Sequence, residues 1–280
     1  MSAKDNTAQA NQGWVERQFK LKENKTNVRT EVMAGITTFM TMAYILFVNP
    51  SILSETGMPF DAVLFATAFS AILATLLMAF LANYPFALAP GMGLNAYFTY
   101  SVVFGMGYTW QTALGAVFLS GILFVLLSVS GIREKIIDAV PATLKSAIGA
   151  GIGLFIALIG LQNAGLVISD PATIIAIGNL TEPSVALAAV GVLITGILLA
   201  RGVNGAILWG ILATTLLGMP MGVTPIPTGF MQFPSFSTWA PVFGKLDIAG
   251  ALNIGLLEVV FAFLFVDLFD TIGTLIGVNG

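Results

Sequence analysis

Long apolar runs separated by short polar segments organise this chain of 280 residues. A membrane-spanning helix takes about 20 apolar residues, and seven runs approach or reach that length. They are Glu31–Pro50, Phe60–Ala82, Phe86–Phe104, Gln111–Ser130, Ala142–Asn163, Ser184–Ala200 and Val203–Gly218. An eighth run begins near Ile248 and continues toward Gly280. Since lipid offers no hydrogen bonds to an open backbone, several separate runs of this length predict an all-α polytopic membrane protein.

The composition supports this class and narrows the chemistry. The chain is 57% hydrophobic and 9% charged, with a mean hydropathy of +0.93, whereas soluble domains carry about 25% charged residues. It contains no Cys and no His, which excludes disulfides, thiolate or histidine metal ligands and histidine proton relays. We therefore expect no metal and no cofactor, and any proton carried within the membrane must bind Asp or Glu. No nucleophile–base pair is evident, so we do not expect an enzyme.

The distribution of Lys and Arg predicts the orientation. With the N-terminus inside, ten of the eleven basic residues are cytoplasmic, and only Lys245 lies outside. The ten are Lys4, Arg17, Lys20, Lys22, Lys25, Arg29, Arg133, Lys135, Lys145 and Arg201. We expect a multi-pass protein of the cell inner membrane with a cytoplasmic leader over residues 1–30. Within that leader, Trp14–Leu21 fits either a short helix in the membrane surface or a simple basic segment.

The number of runs suggests a repeat. Seven spans place the eighth helix in the orientation opposite to the first, so a second copy beginning there would be inverted, as in many secondary transporters. Between the seventh and eighth runs, residues 219–247 are rich in proline and aromatic residues and too broken to span. We interpret them as an external loop whose aromatic side chains rest at the interface, Phe230 and Phe233 among them.

The eighth run carries carboxyl groups in an apolar setting. Asp267, Asp270, Thr271 and Thr274 follow at i, i+3, i+4 and i+7, which places them on one face of a helix. An Asp near the bilayer centre costs about 2.5–3.5 kcal/mol on insertion scales. A helix–helix hydrogen bond or a capping role is the alternative, and we favour a substrate or proton role for at least one carboxylate.

The third run is interrupted by Pro90, Gly91 and Gly93. Proline removes a backbone donor and glycine lowers helix propensity, so we expect an extended stretch and then a half-helix beginning near Gly93 or Leu94. Irregular backbone at membrane depth is tolerated where it lines a cavity or is buried in protein. The start of a half-helix directs free amide groups into such a cavity. A proline kink with Asn95 as a structural cap is the alternative.

The side chains after this break predict the kind of ligand. Asn95 both donates and accepts hydrogen bonds, and Tyr97 and Phe98 offer flat faces for stacking. Together with a carboxylate from the eighth run, they suit a flat, neutral, hydrogen-bonding ring. An anion would be repelled by Asp270 unless that carboxylate were protonated.

Three motifs in this order resemble one family. They are Thr37–Pro50, Ala89-Pro-Gly-Met-Gly-Leu-Asn-Ala-Tyr-Phe98 and Asp267-Leu-Phe-Asp-Thr-Ile-Gly-Thr274, with Arg29–Gly35 fitting as well. They resemble the AzgA-like purine permeases of the nucleobase–ascorbate transporter superfamily. The resemblance extends from about Trp14 to the end of the sequence.

The resemblance implies the first seven-helix unit of a seven-plus-seven inverted repeat, plus helix eight. Residues 31–130 and 248–280 would belong to a core domain, as helices 1–4 and 8. Residues 131–218 would form gate-domain helices 5–7. Members of the family continue through a broken tenth helix, so the resemblance also implies that the C-terminal half is absent from this chain.

The resemblance further implies proton-coupled uptake of guanine, hypoxanthine or adenine. The superfamily pattern of an acidic, a variable, an apolar residue and Gly falls on Asp270–Gly273, which selects Asp270 as the carboxylate facing the base and carrying the proton. Asn95 matches the polar position of the third helix. The role of Asp267 stays open, with proton coupling considered. The other expected contacts to the substrate are Gly93, Leu94 and Thr271.

The expected partners are a purine nucleobase, a proton and membrane lipid. A homodimer is also considered, and no nucleic acid is expected. The main alternative is a truncated, non-transporting membrane protein or a regulatory half that needs a partner. An anion transporter of the same fold is less favoured, since Lys145 and Arg133, the nearest basic residues, are predicted to be cytoplasmic.

Overall fold

A computed structural model describes residues 13–84, 86–132, 135–136, 141–226, 236–252 and 254–279. Its α-helices are α1 (Trp14–Phe19), α2 (Val28–Met42), α3 (Ile45–Ser54), α4 (Phe60–Leu77), α5 (Met92–Ala96), α6 (Trp110–Val129), α7 (Ala142–Asn163), α8 (Pro183–Ala200), α9 (Ala206–Gly218), α10 (Phe236–Trp239), α11 (Ile248–Ala251) and α12 (Ile254–Asn279). Two short strands, β1 (Val167–Asp170) and β2 (Ile174–Ile177), lie between α7 and α8.

In the described part of the chain, four helical segments are long and apolar enough to cross a membrane. They are Val28–Ser54, Phe60–Ala82, Trp110–Val129 and Pro183–Ala200. Large apolar side chains cover their outer surfaces, with Leu81 81% and Val129 84% exposed. A soluble protein rarely exposes so much contiguous apolar surface, so these faces suit contact with lipid.

The first apolar run forms two consecutive helices. Asn27 caps α2, because its side chain accepts a hydrogen bond from the Thr30 amide at 3.0 Å. Only Ala43 and Tyr44 separate α2 from α3, and both residues keep right-handed helical backbone angles. The helical segment is therefore longer at both ends than the predicted run.

The third apolar run is irregular at its start. Residues 86–91 have no regular secondary structure, α5 begins at Met92, and the chain continues in π-helical form from Tyr97 to Gly105. The helix thus begins slightly before the predicted start at Gly93 or Leu94.

The eighth run begins with a separate turn. Asp247 caps α11 by accepting a hydrogen bond from the Gly250 amide at 2.9 Å, and Leu252 ends that turn. The long helix α12 begins at Ile254, which is later than the predicted start near Ile248. The side chain of Thr274, the last member of the predicted acidic stripe, lies outside the described residues.

A β-hairpin between α7 and α8 was not predicted. Strands β1 and β2 pair in antiparallel fashion, with Val167 opposite Ile177 and Asp170 opposite Ile174. The Asp170 carboxylate closes the turn by accepting hydrogen bonds from the amides of Ala172 and Thr173, both at 2.8 Å. Four-residue strands give too little alternation for a sequence pattern to reveal.

The N-terminal segment forms the short helix α1. Its rings pack on the π-helical end of the second span. Phe19 and Phe80 have ring centroids 5.7 Å apart, and Trp14 lies 6.3 Å from Phe80. The interfacial aromatics expected at Phe230 and Phe233 lie outside the described residues.

Helices from distant parts of the chain form the main core. α12 packs against α6, α3 packs against α4, and α5 contacts α3, α7 and α12. The buried apolar residues of this core are Met58, Val63, Phe98, Val102, Ala113, Ala116, Ala251, Val259, Val260 and Phe263. α5 therefore lies where the first, fifth and eighth runs meet.

Helices α8 and α9 form a close antiparallel pair through reciprocal contacts. A Cβ added to Gly191 would lie 2.6 Å from Thr214 Oγ1, and one added to Gly210 would overlap the Thr195 hydroxyl. Each threonine hydroxyl donates to the glycine carbonyl one turn earlier on its own helix, at 2.9 Å for Thr195 and 2.7 Å for Thr214. Small residues let the two backbones approach closely, as is common between membrane helices.

Candidate functional site

The structure brings the acidic helix against the irregular start of the third run. A Cβ built on Gly91 would lie 2.5 Å from Asp270 Oδ2 and 3.6 Å from Asp270 Cγ. Two of the residues expected from the sequence to take part in the site, Asp270 and Gly91, are therefore in direct contact.

Gly91 is required by space and not by backbone flexibility. Its φ of −71° and ψ of 121° lie in the extended region that every L-residue adopts. A side chain at this position would instead displace the Asp270 carboxylate. The sequence indicated Gly91 as a helix breaker, and the structure adds that it makes room for Asp270.

Asn95 lies in the first turn of α5. Its backbone amide donates to the Gly91 carbonyl at 3.3 Å, which ties it to the residue touching Asp270. Its side-chain Nδ2 donates to Asn49 Oδ1 on α3 and lies 3.8 Å from Met92 Sδ. Gly91, Asp270 and Asn95 therefore come from one small region at the start of α5.

A buried polar connection beyond Asn95 was not predicted. Asn49 Nδ2 donates to Thr67 Oγ1 at 2.7 Å, and the Thr67 hydroxyl donates to the Val63 carbonyl at 2.6 Å. Asn49 is 3% exposed and Thr67 is 4% exposed. The available signal was an amide side chain just before Pro50 in an otherwise apolar run, since polar residues inside membrane spans are commonly functional.

The other expected site residues occupy different surroundings. Phe98 is 3% exposed within the main core, so its ring contacts protein, whereas Tyr97 is half-buried and meets Phe263 edge-on with centroids 5.2 Å apart. Asp267 and Thr271 are half-buried on the same helix as Asp270. Pro90, Gly93 and Leu94 of the third run are also half-buried.

A separate cavity of about 560 Å³ lies between the first two spans and the segment around residues 84–89. Alanine and larger apolar side chains dominate its lining, together with Glu31, Thr38, Thr67 and Thr75. Neither Asn95 nor Asp270 lines it, so it is distinct from the acidic contact. Its volume would accommodate a small ligand, but it offers few convergent polar groups.

Asp247 fixes the approach to the acidic helix. Its Oδ2 accepts a hydrogen bond from the Thr112 hydroxyl on α6 at 3.1 Å, and its amide donates to the Gln111 carbonyl at 3.0 Å. The Asp247 carbonyl also occupies the space that a side chain at Gly115 would need. These contacts attach α11 to α6 and so position the start of α12.

A polar contact joins the third run to the end of the fifth. The Tyr100 hydroxyl donates to Glu55 Oε1 at 3.0 Å, and Asn163 Nδ2 donates to the Tyr100 oxygen at 3.4 Å. Within the described residues, no three His, Cys, Asp or Glu side chains come together in a way that could hold a metal ion.

Comparison with known proteins identifies the family. A family model described as Permease family matches residues 29–280. The chain belongs to this permease family. A permease is a membrane transport protein, so the family description agrees with the long apolar helices of the structure.

Three relatives illustrate the sequence identity between this chain and other permeases. A protein named as a permease in Methanocaldococcus jannaschii is 55% identical over 262 residues, covering 94% of this chain and 60% of the relative. Adenine permease AdeP of Escherichia coli K12 is 46% identical over 279 residues, covering 100% and 62%. Guanine/hypoxanthine permease PbuO of Bacillus subtilis 168 is 46% identical over 263 residues, covering 93% and 61%. The chain thus spans about 60% of the length of these curated relatives.

Proposed function

We propose that the protein to which this chain belongs takes up purine nucleobases together with protons across the cytoplasmic membrane. The observation that carries the proposal is the contact between Asp270 and Gly91, with Asn95 one turn further along α5. The names of the relatives support guanine, hypoxanthine or adenine as the substrate.

The polar groups at this contact suit a neutral heterocycle. An ionised Asp270 accepts hydrogen bonds from ring N–H or amino groups, and Asn95 adds an amide partner nearby. The half-buried Tyr97 is the proposed stacking surface, since most of the Phe98 ring is covered by the core. The other residues proposed to contact the base are Gly93, Leu94 and Thr271.

Proton coupling is assigned to the acidic helix. This chain has no histidine, so within it we assign the proton to a carboxylate, and Asp270 is the one that touches the irregular segment. Because the base and the proton are proposed to cross together, the proton must stay bound while the base occupies the site. Asp267, one turn earlier on α12, is the second proposed coupling residue.

Transport itself is proposed to follow alternating access between a core and a gate domain within an inverted repeat. The core would contain residues 31–130 and 248–280, and the gate residues 131–218. The packing of α12 on α6 and the close pairing of α8 with α9 support this division. The contact of Tyr100 with Asn163 would then join the two domains in the conformation described here.

The proposed cytoplasmic N-terminus has its own test. This chain contains no cysteine, so single cysteines can be introduced at Ser169 in the hairpin and at Val203 between α8 and α9. An impermeant thiol reagent added to intact cells should label the Ser169→Cys variant and spare Val203→Cys. The reverse pattern would invert the orientation.

The decisive experiment for the function is uptake of radiolabelled hypoxanthine by the full-length protein, in cells without purine permeases of their own. Asp270→Asn keeps the size of the side chain but loses its charge and its titratable proton, so we expect uptake to be abolished. Asp61→Asn, the same change at an exposed position of α4, should leave uptake unchanged. The proposal would be contradicted by normal uptake in the Asp270→Asn variant, or by wild-type uptake that is unchanged when the proton gradient is dissipated.

A non-transporting membrane protein explains the comparisons less well. The relatives reported above are named as permeases, and they match nearly the whole of this chain.

A further inference from the structure

A line of hydrogen bonds runs from Asn95 through Asn49 and Thr67 to the Val63 carbonyl. It joins α5, α3 and α4. Asn49 and Thr67 are both buried. Neither is among the residues assigned to the substrate above, so their purpose needs a separate explanation.

In the structure, every bond of this line points toward the Val63 carbonyl. A backbone carbonyl only accepts, so the single hydroxyl proton of Thr67 is used on Val63. The Thr67 oxygen can then only accept, which requires Asn49 to present its NH₂ group to Thr67 and its carbonyl oxygen to Asn95. Asn95 must in turn present its NH₂ group to Asn49.

The reverse orientation would require the whole line to turn together. If the Asn49 amide were rotated, its carbonyl oxygen would face the Thr67 oxygen, so the Thr67 hydroxyl would have to leave the Val63 carbonyl to donate to it. The amide orientations are therefore set by the whole network and not by Asn95 alone.

One atom of Asn95 remains available to a ligand. Its Nδ2 is used by Asn49, and its carbonyl oxygen accepts no hydrogen bond from any described residue. Since Asn95 follows the segment that touches Asp270, this oxygen and the ionised carboxylate would offer a ligand two acceptors from two walls.

We propose that Asn49 and Thr67 are specificity-determining positioning residues, which hold Asn95 as a hydrogen-bond acceptor so that the bound nucleobase must present an N–H group to it. The inference rests on the proposed function, and it specifies the hydrogen-bonding character of the substrate. Asn49 and Thr67 act through Asn95 and do not touch the base.

The test uses variants of the full-length protein that differ only in the network. Thr67→Val keeps the shape of the side chain but removes the hydroxyl, so Asn49 and Asn95 can both rotate. Thr67→Ser keeps the hydroxyl and is the matched control. Asn49→Leu is a second disrupting variant, to be used where Thr67→Val does not fold.

The measurement is the dissociation constant of each purified variant for hypoxanthine, adenine, 7-methylhypoxanthine and 9-methylhypoxanthine. Hypoxanthine and adenine exchange donor and acceptor on the pyrimidine ring, whereas each methylated base has lost the single imidazole N–H that hypoxanthine carries at N7 or N9. Disrupting the network should change at least one affinity ratio among these ligands by about three- to tenfold, the value of one neutral hydrogen bond. Thr67→Ser should keep the wild-type ratios.

The outcomes separate this inference from the proposed function. If Thr67→Val and Asn49→Leu change every affinity by one common factor, or change none, the two residues are only structural and the inference is wrong. If the wild-type protein binds none of the four purines, the proposed function fails and the inference fails with it.

Discussion

Gly91→Ala should weaken nucleobase binding by the full-length protein without preventing folding. The backbone of Gly91 already has angles that alanine adopts, so the substitution introduces no backbone strain. The new methyl group would lie 2.5 Å from Asp270 Oδ2. The atom that must move is the end of a flexible side chain, so the response should be local.

The size of the displacement follows from ordinary contact distances. Close C···O contacts in proteins begin at about 3.3 Å, so the carboxylate oxygen must withdraw by about 0.8 Å. A hydrogen bond that lengthens from about 2.8 to 3.6 Å is effectively lost. A bond to a charged group contributes about 1.5–3 kcal/mol, which predicts a dissociation constant for hypoxanthine roughly 10- to 150-fold higher.

The assay combines hypoxanthine binding with thermal unfolding of the purified protein. Gly35→Ala on α2 is the control, because a methyl group there would meet nothing within 4 Å, and we expect wild-type binding from it. The steric origin can be checked in a double-mutant cycle, where Gly91→Ala should destabilise the wild-type protein more than it destabilises the Asp270→Ala variant. Wild-type affinity in Gly91→Ala, or equal destabilisation in both backgrounds, would refute the reasoning.

Two further predictions concern stability outside the site. Gly115→Ala would press a methyl group into the backbone at Asp247, so we expect the free energy of unfolding to fall by about 1–3 kcal/mol and the thermal midpoint to decrease. Gly121→Ala on the same helix is the control, because its methyl group would meet nothing within 4 Å and should leave the midpoint unchanged. Equal midpoints for the two variants would contradict the prediction. In the hairpin, hydrogen bonds from Thr173 and Ala172 hold the pKa of Asp170 below its usual range. The ionised carboxylate therefore stabilises the turn above a pH of about 4, and this stabilisation is lost as the pH falls through the lowered pKa. Amide protection of residues 167–177, corrected for intrinsic exchange, should therefore be constant from about pH 5 to 7 and decrease below about pH 4; undiminished protection in acid would show that the turn does not need the charge.

Much of the helical architecture could be predicted from local pattern. Apolar runs of sufficient length form helices in lipid wherever they occur, and most predicted runs overlap helices of the structure. The two candidate site residues Asp270 and Asn95 were also evident, because a carboxyl or amide side chain in an apolar run is costly and so conspicuous. The ends of the helices were less predictable: Asp247 caps the start of the short helix α11, which ends at Ala251, and α12 begins only at Ile254.

Only the tertiary structure decided which atoms meet. The sequence marked Gly91 as a helix breaker, but its closeness to Asp270 depends on how α12 lies against α5. The link from Asn95 to Asn49 and Thr67 likewise joins three separate helices. Phe98 could be placed on a helix from the sequence, but its burial depends on which neighbours cover that face. The physical reason is that periodicity determines the face of a helix on which a residue lies, whereas contacts depend on the relative rotation and depth of helices far apart in the chain.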